Sequence, residues 1–183
     1  MVISEIGIDE QINLVESHPF ENNDNFVKAS PLGKVPCLDA DGEIILDSEV
    51  ICDFLDASFT GGELFNPIYA DWRLKSLFSM VSGLIDTCVA RQVEKLRKKD
   101  NCFSDFWWER HNQAIARGLD AIEARLDLMP EEFTILHINL MSALAYLDFR
   151  HSDINWRTSA PKLAEFFDFW KDRPCFVDSP LIG

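Results

Sequence analysis

Apolar positions in the first sixty residues change period every few residues, as they do in mixed α/β units. Val2, Ile3, Ile6 and Ile8 read as the end of a helix with Gly7 as its stop signal. Ile12 to Val15 reads as a short apolar strand and Asn22 to Asn25 as a turn. Phe26, Val27 and Ala29 read as a helical turn ending before Pro31. Val35 to Leu38 and Glu43 to Leu46 read as two strands joined by Asp39-Ala40-Asp41-Gly42, whose Asp-Gly pair signals a hairpin. Asp47-Ser48 then starts a helix with Val50, Ile51, Phe54 and Leu55 at helical spacing. Gly61-Gly62 ends it and opens a linker through Pro67.

Past Pro67 the period is helical throughout. Leu74, Leu77, Phe78, Val81, Leu84, Ile85, Cys88 and Val89 lie on one face of a long amphipathic helix that runs into the basic stretch Lys95 to Lys99. Trp108, Ile115, Leu119, Ile122 and Leu126 mark a second helix, stopped by Pro130. Thr134 caps a third, with Ile135, Ile138, Met141, Leu144 and Leu147. Ser159 starts a fourth, with Leu163, Phe166, Phe167 and Trp170, and Pro174 closes it. The reading is α/β followed by all-α, with a first domain over residues 1–62 and a helical one over 68–183.

Composition narrows the function classes. With 183 residues, 47% hydrophobic and 26% charged, the chain is globular rather than disordered. No apolar run approaches the roughly 20 residues of a membrane span, and Met1 opens no secretion signal, so a cytoplasmic location is expected. The net charge of −14 argues against a nucleic-acid partner. Residues 1–66 hold two basic and fourteen acidic side chains, residues 67–183 fifteen and seventeen, a shift that suggests two units. The five cysteines are odd in number and form no CxxC, and His18, His111, His137 and His151 show no ligand spacing. Free thiols and no metal site are expected.

The most informative stretch is Ser30-Pro31-Leu32-Gly33-Lys34-Val35-Pro36-Cys37-Leu38, followed by Leu46-Asp47-Ser48-Glu49-Val50-Ile51. Pro36 lies between loop and strand, where proline cannot donate a ladder hydrogen bond. A cis Val35-Pro36 bond would turn the Val35 amide and carbonyl outward, to pair with an extended peptide. About eleven residues on, Ser48 and the N–H groups of a helix start would hold a carboxylate, and Asp47 an ammonium. Together these features suit a small peptide with a free amino-acid end.

"SPLGKVPCL" with "DGEIILDSEVICDFLD", and the later "LAYLDFRHSDINWRTSAPKLAEFFDFWKDRPCFVDSPL", resemble the glutathione transferase family over nearly the whole chain. The resemblance implies a thioredoxin-like first half and a helical second half. It also implies glutathione as co-substrate, an apolar electrophile as second substrate, and a homodimer. By resemblance Val35 pairs with the cysteinyl residue of glutathione, Pro36 is the cis-proline, Asp47 and Ser48 bind the γ-glutamyl group, and Lys34 approaches the glycine carboxylate. The family's first half opens with a strand and a loop bearing a Ser, Tyr or Cys that hydrogen-bonds the glutathione sulfur. Met1 to Gly7 matches the middle and end of the following helix instead. The expectation is therefore of an N-terminally truncated domain with no assignable catalytic residue, either from a start codon placed downstream or from a shortened gene. Ile12 to Val15 would then lose a ladder partner. Ser4, Tyr69 and Cys37 are poor substitutes on position.

Two further features read as structural. His137 stands three residues after Thr134, where the family's capping box has an acid, which leaves the reciprocal bond without its usual acceptor. Phe103, Phe106, Trp107 and Trp108 read as core or interface before substrate pocket. The competing function is a non-catalytic binding or interaction module, and a thiol-disulfide oxidoreductase is disfavoured by the missing CxxC.

Overall fold

The computed structural model describes residues 1–17, 21 and 23–181. The chain divides into two compact units, Val2–Phe65 in one and Met1 with Asn66–Gly183 in the other.

The first unit runs α1 (Val2–Glu5), a 3-10 turn (Asp9–Gln11), α2 (Asp24–Ala29), the hairpin β1 (Cys37–Ala40) and β2 (Glu43–Leu46), and α3 (Ser48–Phe59). The hairpin register closes with Ala40 opposite Glu43, leaving a two-residue loop. Asp41 and Gly42 sit at φ 53° and 93°, and Asp and Gly are residues that tolerate this left-handed backbone. The Asp39 side chain accepts the Gly42 N–H at 2.7 Å, securing the turn. Leu38 and Ile45 face each other across the ladder and pack with Ile3, Ile6 and Ile12 around buried Ile8, Ile51 and Leu55. Ile51 and Leu55 are four apart, so one stripe of α3 covers one face of the hairpin.

Three expectations change here. Ile12 to Val15 is not a strand: no described strand runs beside it to complete a ladder, and Leu14 and Val15 are 81% and 78% exposed. β1 begins at Cys37 instead of Val35, because Pro36 has no N–H to give the ladder. The stretch after Gly62 is not an open linker: Leu64 and Phe65 are buried, with main-chain N–H groups held by Asp56, and Pro67 lies inside a short helix. Of the expected turn, Asn22 lies outside the described residues.

The second unit holds α4 (Asn66–Ala70), α5 (Trp72–Leu96), α6 (Asp105–Glu123), α7 (Ile135–Arg150), α8 (Trp156–Ser159), α9 (Pro161–Trp170) and α10 (Pro174–Val177). Asp71 caps α5 by accepting the Arg73 N–H at 2.8 Å, and Ser104 caps α6. α5 packs against both α6 and α7. Val81, Cys88, Ile115, Ile122, Leu136, Leu140 and Leu144 are fully buried. Gly118 permits the close approach of α6 to α5, since a Cβ there would lie 3.3 Å from Leu84 Cδ1. The fourth helix starts later than expected: Ser159 closes α8, Ala160 is the cap and Pro161 the first residue of α9, where a missing N–H costs nothing. Pro174 opens α10 by the same logic. Among the described residues no helix is long and apolar enough to cross a membrane.

Candidate functional site

The first unit brings the expected site residues onto one face. The Val35–Pro36 peptide bond is cis. The register pairs Cys37 with Leu46, so Pro36, one step before β1, lies alongside Asp47, one step after β2. Lys34, Val35, Pro36, Asp47 and Ser48 are all exposed, and Val35 keeps 48% of its surface open. Neither the N–H nor the C=O of Val35 has a hydrogen-bond partner among the described residues. Among the described residues no strand pairs with the other edge of β1.

Asp47 is the N-cap of α3, at φ 76°, and its carboxylate accepts the Glu49 N–H at 2.9 Å. Ser48 is the first residue of that 12-residue helix, next to N–H groups that a helix start leaves without helical acceptors. Lys34 is set by its main chain: its N–H donates to Ser30 Oγ at 3.1 Å and its C=O accepts the same hydroxyl at 2.7 Å. Three chemistries therefore meet on one exposed face. An open main-chain edge can pair with an extended peptide, a carboxylate can take an ammonium, and a hydroxyl at a helix start can take a carboxylate.

Burial keeps one thiol of each unit protonated at neutral pH. Burial pushes Cys52 in α3 up to about 11 and Cys88 in α5 up to about 12. All five cysteines are free. Among the described residues no group of three or more His, Cys, Asp or Glu is arranged to hold a metal ion.

Sequence reasoning missed a buried cluster in the second unit. Arg91, 1% exposed, donates from Nε to Asn112 Oδ1 at 2.6 Å and from Nη1 to His151 Nδ1 at 2.8 Å, and it pairs with the Asp153 carboxylate. Its guanidinium also lies 3.9 Å above the Trp108 ring. His151 Nε2 donates to the Cys88 carbonyl at 2.9 Å. With its polar groups engaged by the protein, the cluster ties α5, α6 and the end of α7 together. Arg91 lies before the basic stretch Lys95 to Lys99 and drew no assignment in sequence; its place three residues after Cys88, on the apolar face of the helix, was the one available signal. The aromatic group splits: Phe106 and Trp107 are 67% and 46% exposed, whereas Trp108 packs under Arg91. None of the four lines either of two cavities found among the described residues of the second unit. One, of about 370 Å³, is lined chiefly by Met141, Ala145, Phe149, Phe167 and Phe176. The other, a groove of about 760 Å³, is lined by Leu126, Phe166, Phe169 and Trp170 with Glu123 and Glu165.

The model of the glutathione S-transferase N-terminal domain matches residues 1–58, and that of the C-terminal domain residues 105–169, between them more than half of the chain. Among solved structures, the chain is similar to a glutathione transferase family member from Pseudomonas fluorescens Pf-5 with bound glutathione. That match has 29% identity, covers 99% of this chain and 91% of that one, and has a TM-score of 0.89. It is also similar to a glutathione S-transferase from Methylobacillus flagellatus KT with glutathione bound, at 26% identity over 98% and 91% of the two chains, TM-score 0.87. A third, from Methylobacterium radiotolerans JCM 2831 in complex with glutathione sulfonate, is 25% identical over 99% and 87%, TM-score 0.84. A comparison with curated proteins finds no match.

Proposed function

Because this chain belongs to the glutathione S-transferase family, we propose that it binds glutathione at the face formed by residues 34–36 and 47–48 and conjugates it to an apolar electrophile. The Val35 main chain pairs with the cysteinyl residue of the tripeptide. Asp47 takes the γ-glutamyl ammonium, and Ser48 with the first N–H groups of α3 takes the γ-glutamyl carboxylate. Lys34 faces the glycine carboxylate. The protein works as a homodimer, as resemblance implies.

The observation that carries this reading is that the N–H and C=O of Val35 find no partner among the described residues, two steps before the β1 residue that the hairpin register pairs with Leu46, just ahead of the acid and hydroxyl at 47 and 48. The bound glutathione in the relatives from P. fluorescens and M. flagellatus supports it. Conjugation also requires the glutathione thiol to ionise. Lowering a thiol from about 8.5 by two units takes about 2.7 kcal/mol of anion stabilisation, and none of the five site residues is assigned that role.

Calorimetric titration of glutathione into the protein tests the site, and turnover of a generic chlorinated aromatic tests the reaction. Asp47→Asn keeps a side-chain cap and a residue at ease with positive φ while removing the charge. It is expected to weaken glutathione about tenfold, the loss of one charge-assisted hydrogen bond. Undiminished affinity in that variant removes Asp47 from the site. Binding without turnover makes the protein a glutathione-binding module, and absence of binding ends the reading.

A further inference from the structure

We propose that Ser30 is the positioning residue of the glutathione face, its buried hydroxyl aiming the Val35 N–H at the ligand by locking the main chain of Lys34. The proposal rests on the reading of residues 34–36 and 47–48 as the glutathione site. Ser30 is 2% exposed, and each of its polar groups is engaged within the first unit. Its N–H donates to the Phe26 carbonyl at 2.6 Å, tying it to α2, and its own carbonyl accepts the Gly33 N–H at 2.8 Å. Its hydroxyl donates to the Lys34 carbonyl at 2.7 Å and accepts the Lys34 N–H at 3.1 Å. One side chain thus holds both main-chain groups of a residue four positions on. Gly33, at φ 63°, supplies the left-handed step that lets the chain return to that side chain.

The consequence for Val35 follows from peptide planarity. The Lys34 carbonyl and the Val35 N–H belong to one trans peptide plane and point in opposite directions. With the carbonyl turned inward onto Ser30, the Val35 N–H must point away from the loop, where no described residue accepts it. Without the hydroxyl the Lys34–Val35 plane is free to rotate. Ordering it would then be left to the ligand, at an entropic cost that reduces affinity. Ser30 touches no part of the tripeptide in this arrangement and acts through Lys34 and Val35.

The test measures glutathione affinity by calorimetry, stability by thermal unfolding, and amide hydrogen exchange at Lys34 and Val35. The parent protein is compared with Ser30→Ala, Ser30→Cys and Thr60→Ala. Cysteine nearly matches serine in shape and hydrogen-bonds poorly, so it reads the same loss where alanine fails to fold. Thr60 caps the far end of α3, about 18 Å along the helix from Ser48, and its removal loosens the same unit away from the loop. Either Ser30 variant is expected to weaken glutathione at least tenfold and to lose exchange protection at the Lys34 amide. Thr60→Ala should lower stability and bind glutathione as the parent does. If the Ser30 variants bind as tightly as the parent, or Thr60→Ala weakens binding as much as they do, the hydroxyl is merely structural and the proposal falls alone. If the parent does not bind glutathione, the site reading falls first and takes this with it.

Discussion

Asp56 is wholly buried in α3, and its carboxyl oxygens accept the N–H groups of Leu64 at 3.0 Å and Phe65 at 2.9 Å, together with the Thr60 hydroxyl. The side chain thereby satisfies main-chain groups that the break at Gly61-Gly62 leaves without helical partners. Asp56→Ala strands two buried donors and is expected to cost about 3 kcal/mol. Asp56→Asn, which keeps one acceptor oxygen, should cost about half of that. All five tryptophans lie beyond residue 66, so amide exchange at Leu64 and Phe65 is the direct measurement. Parent-like protection in the alanine variant would show that another group satisfies those donors. Residue roles of this kind were legible in sequence only where partners are close along the chain. The Asp41-Gly42 turn was plain, but the expected four-residue connection was two residues too long: β1 runs on to Ala40, and the resulting two-residue loop is what sets Pro36 beside Asp47. Asp56 reaches eight and nine residues across a glycine pair, and Arg91 finds Asn112, His151 and Asp153 on other segments, distances that periodicity does not register.

Among the elements, α7 shows how a substitution at a cap changes the pH response of a whole helix. His137 takes the place of the acid in the capping box, and the reciprocal bond forms all the same: the Thr134 N–H donates to His137 Nδ1 at 3.1 Å. A nitrogen that accepts must be unprotonated. Burial, helped by the nearby Arg173 charge, pushes His137 down to about 4. At the other end of α7, His151 is also held down, first by burial and then by Arg91 and Lys95, against the Cys88 carbonyl and Asp153. A folded pKa below the unfolded value means the unfolded chain binds protons first as pH drops. The stabilisation is full above about 6.5 and is lost as pH falls from there toward 4, for His137 by about 3 kcal/mol in total. Urea midpoints at pH 7, 5.5 and 4.5 should fall steeply for the parent and less for His137→Asp, which restores an acidic acceptor at that position. Equal pH dependence in the two proteins would show that His137 titrates normally in the folded state. The helix itself was plain from Ile135, Ile138, Met141, Leu144 and Leu147. The histidine's acceptor role was not, because it depends on which ring nitrogen faces the Thr134 amide.

At the scale of the molecule, the uneven charge sets how the proposed site meets its ligand. The first sixty-six residues carry twelve more acidic than basic side chains, while glutathione has two carboxylates and one ammonium at neutral pH. Long-range repulsion therefore opposes the local attractions at Lys34 and Ser48, and magnitudes decide which dominates the salt response. Twelve charges at a mean distance of ~15 Å cost a single negative charge about 3 kcal/mol in unscreened water. With a Debye length of ~30 Å at 0.01 M salt and ~8 Å at 0.15 M, that cost falls from about 2 to about 0.5 kcal/mol. An exposed pair between Lys34 and a carboxylate contributes at most about 1 kcal/mol and loses only a few tenths over the same range, because its charges are within ~4 Å. Relief of repulsion is the larger effect. Glutathione should bind roughly fivefold tighter at 0.15 M than at 0.01 M salt, the reverse of the usual behaviour for an anion on a lysine. Calorimetry at the two salt concentrations measures it. Weaker binding at the higher concentration would mean that contacts at Lys34 outweigh the field of the acidic unit, and Lys34→Gln would then reverse the salt dependence, since the repulsion remains.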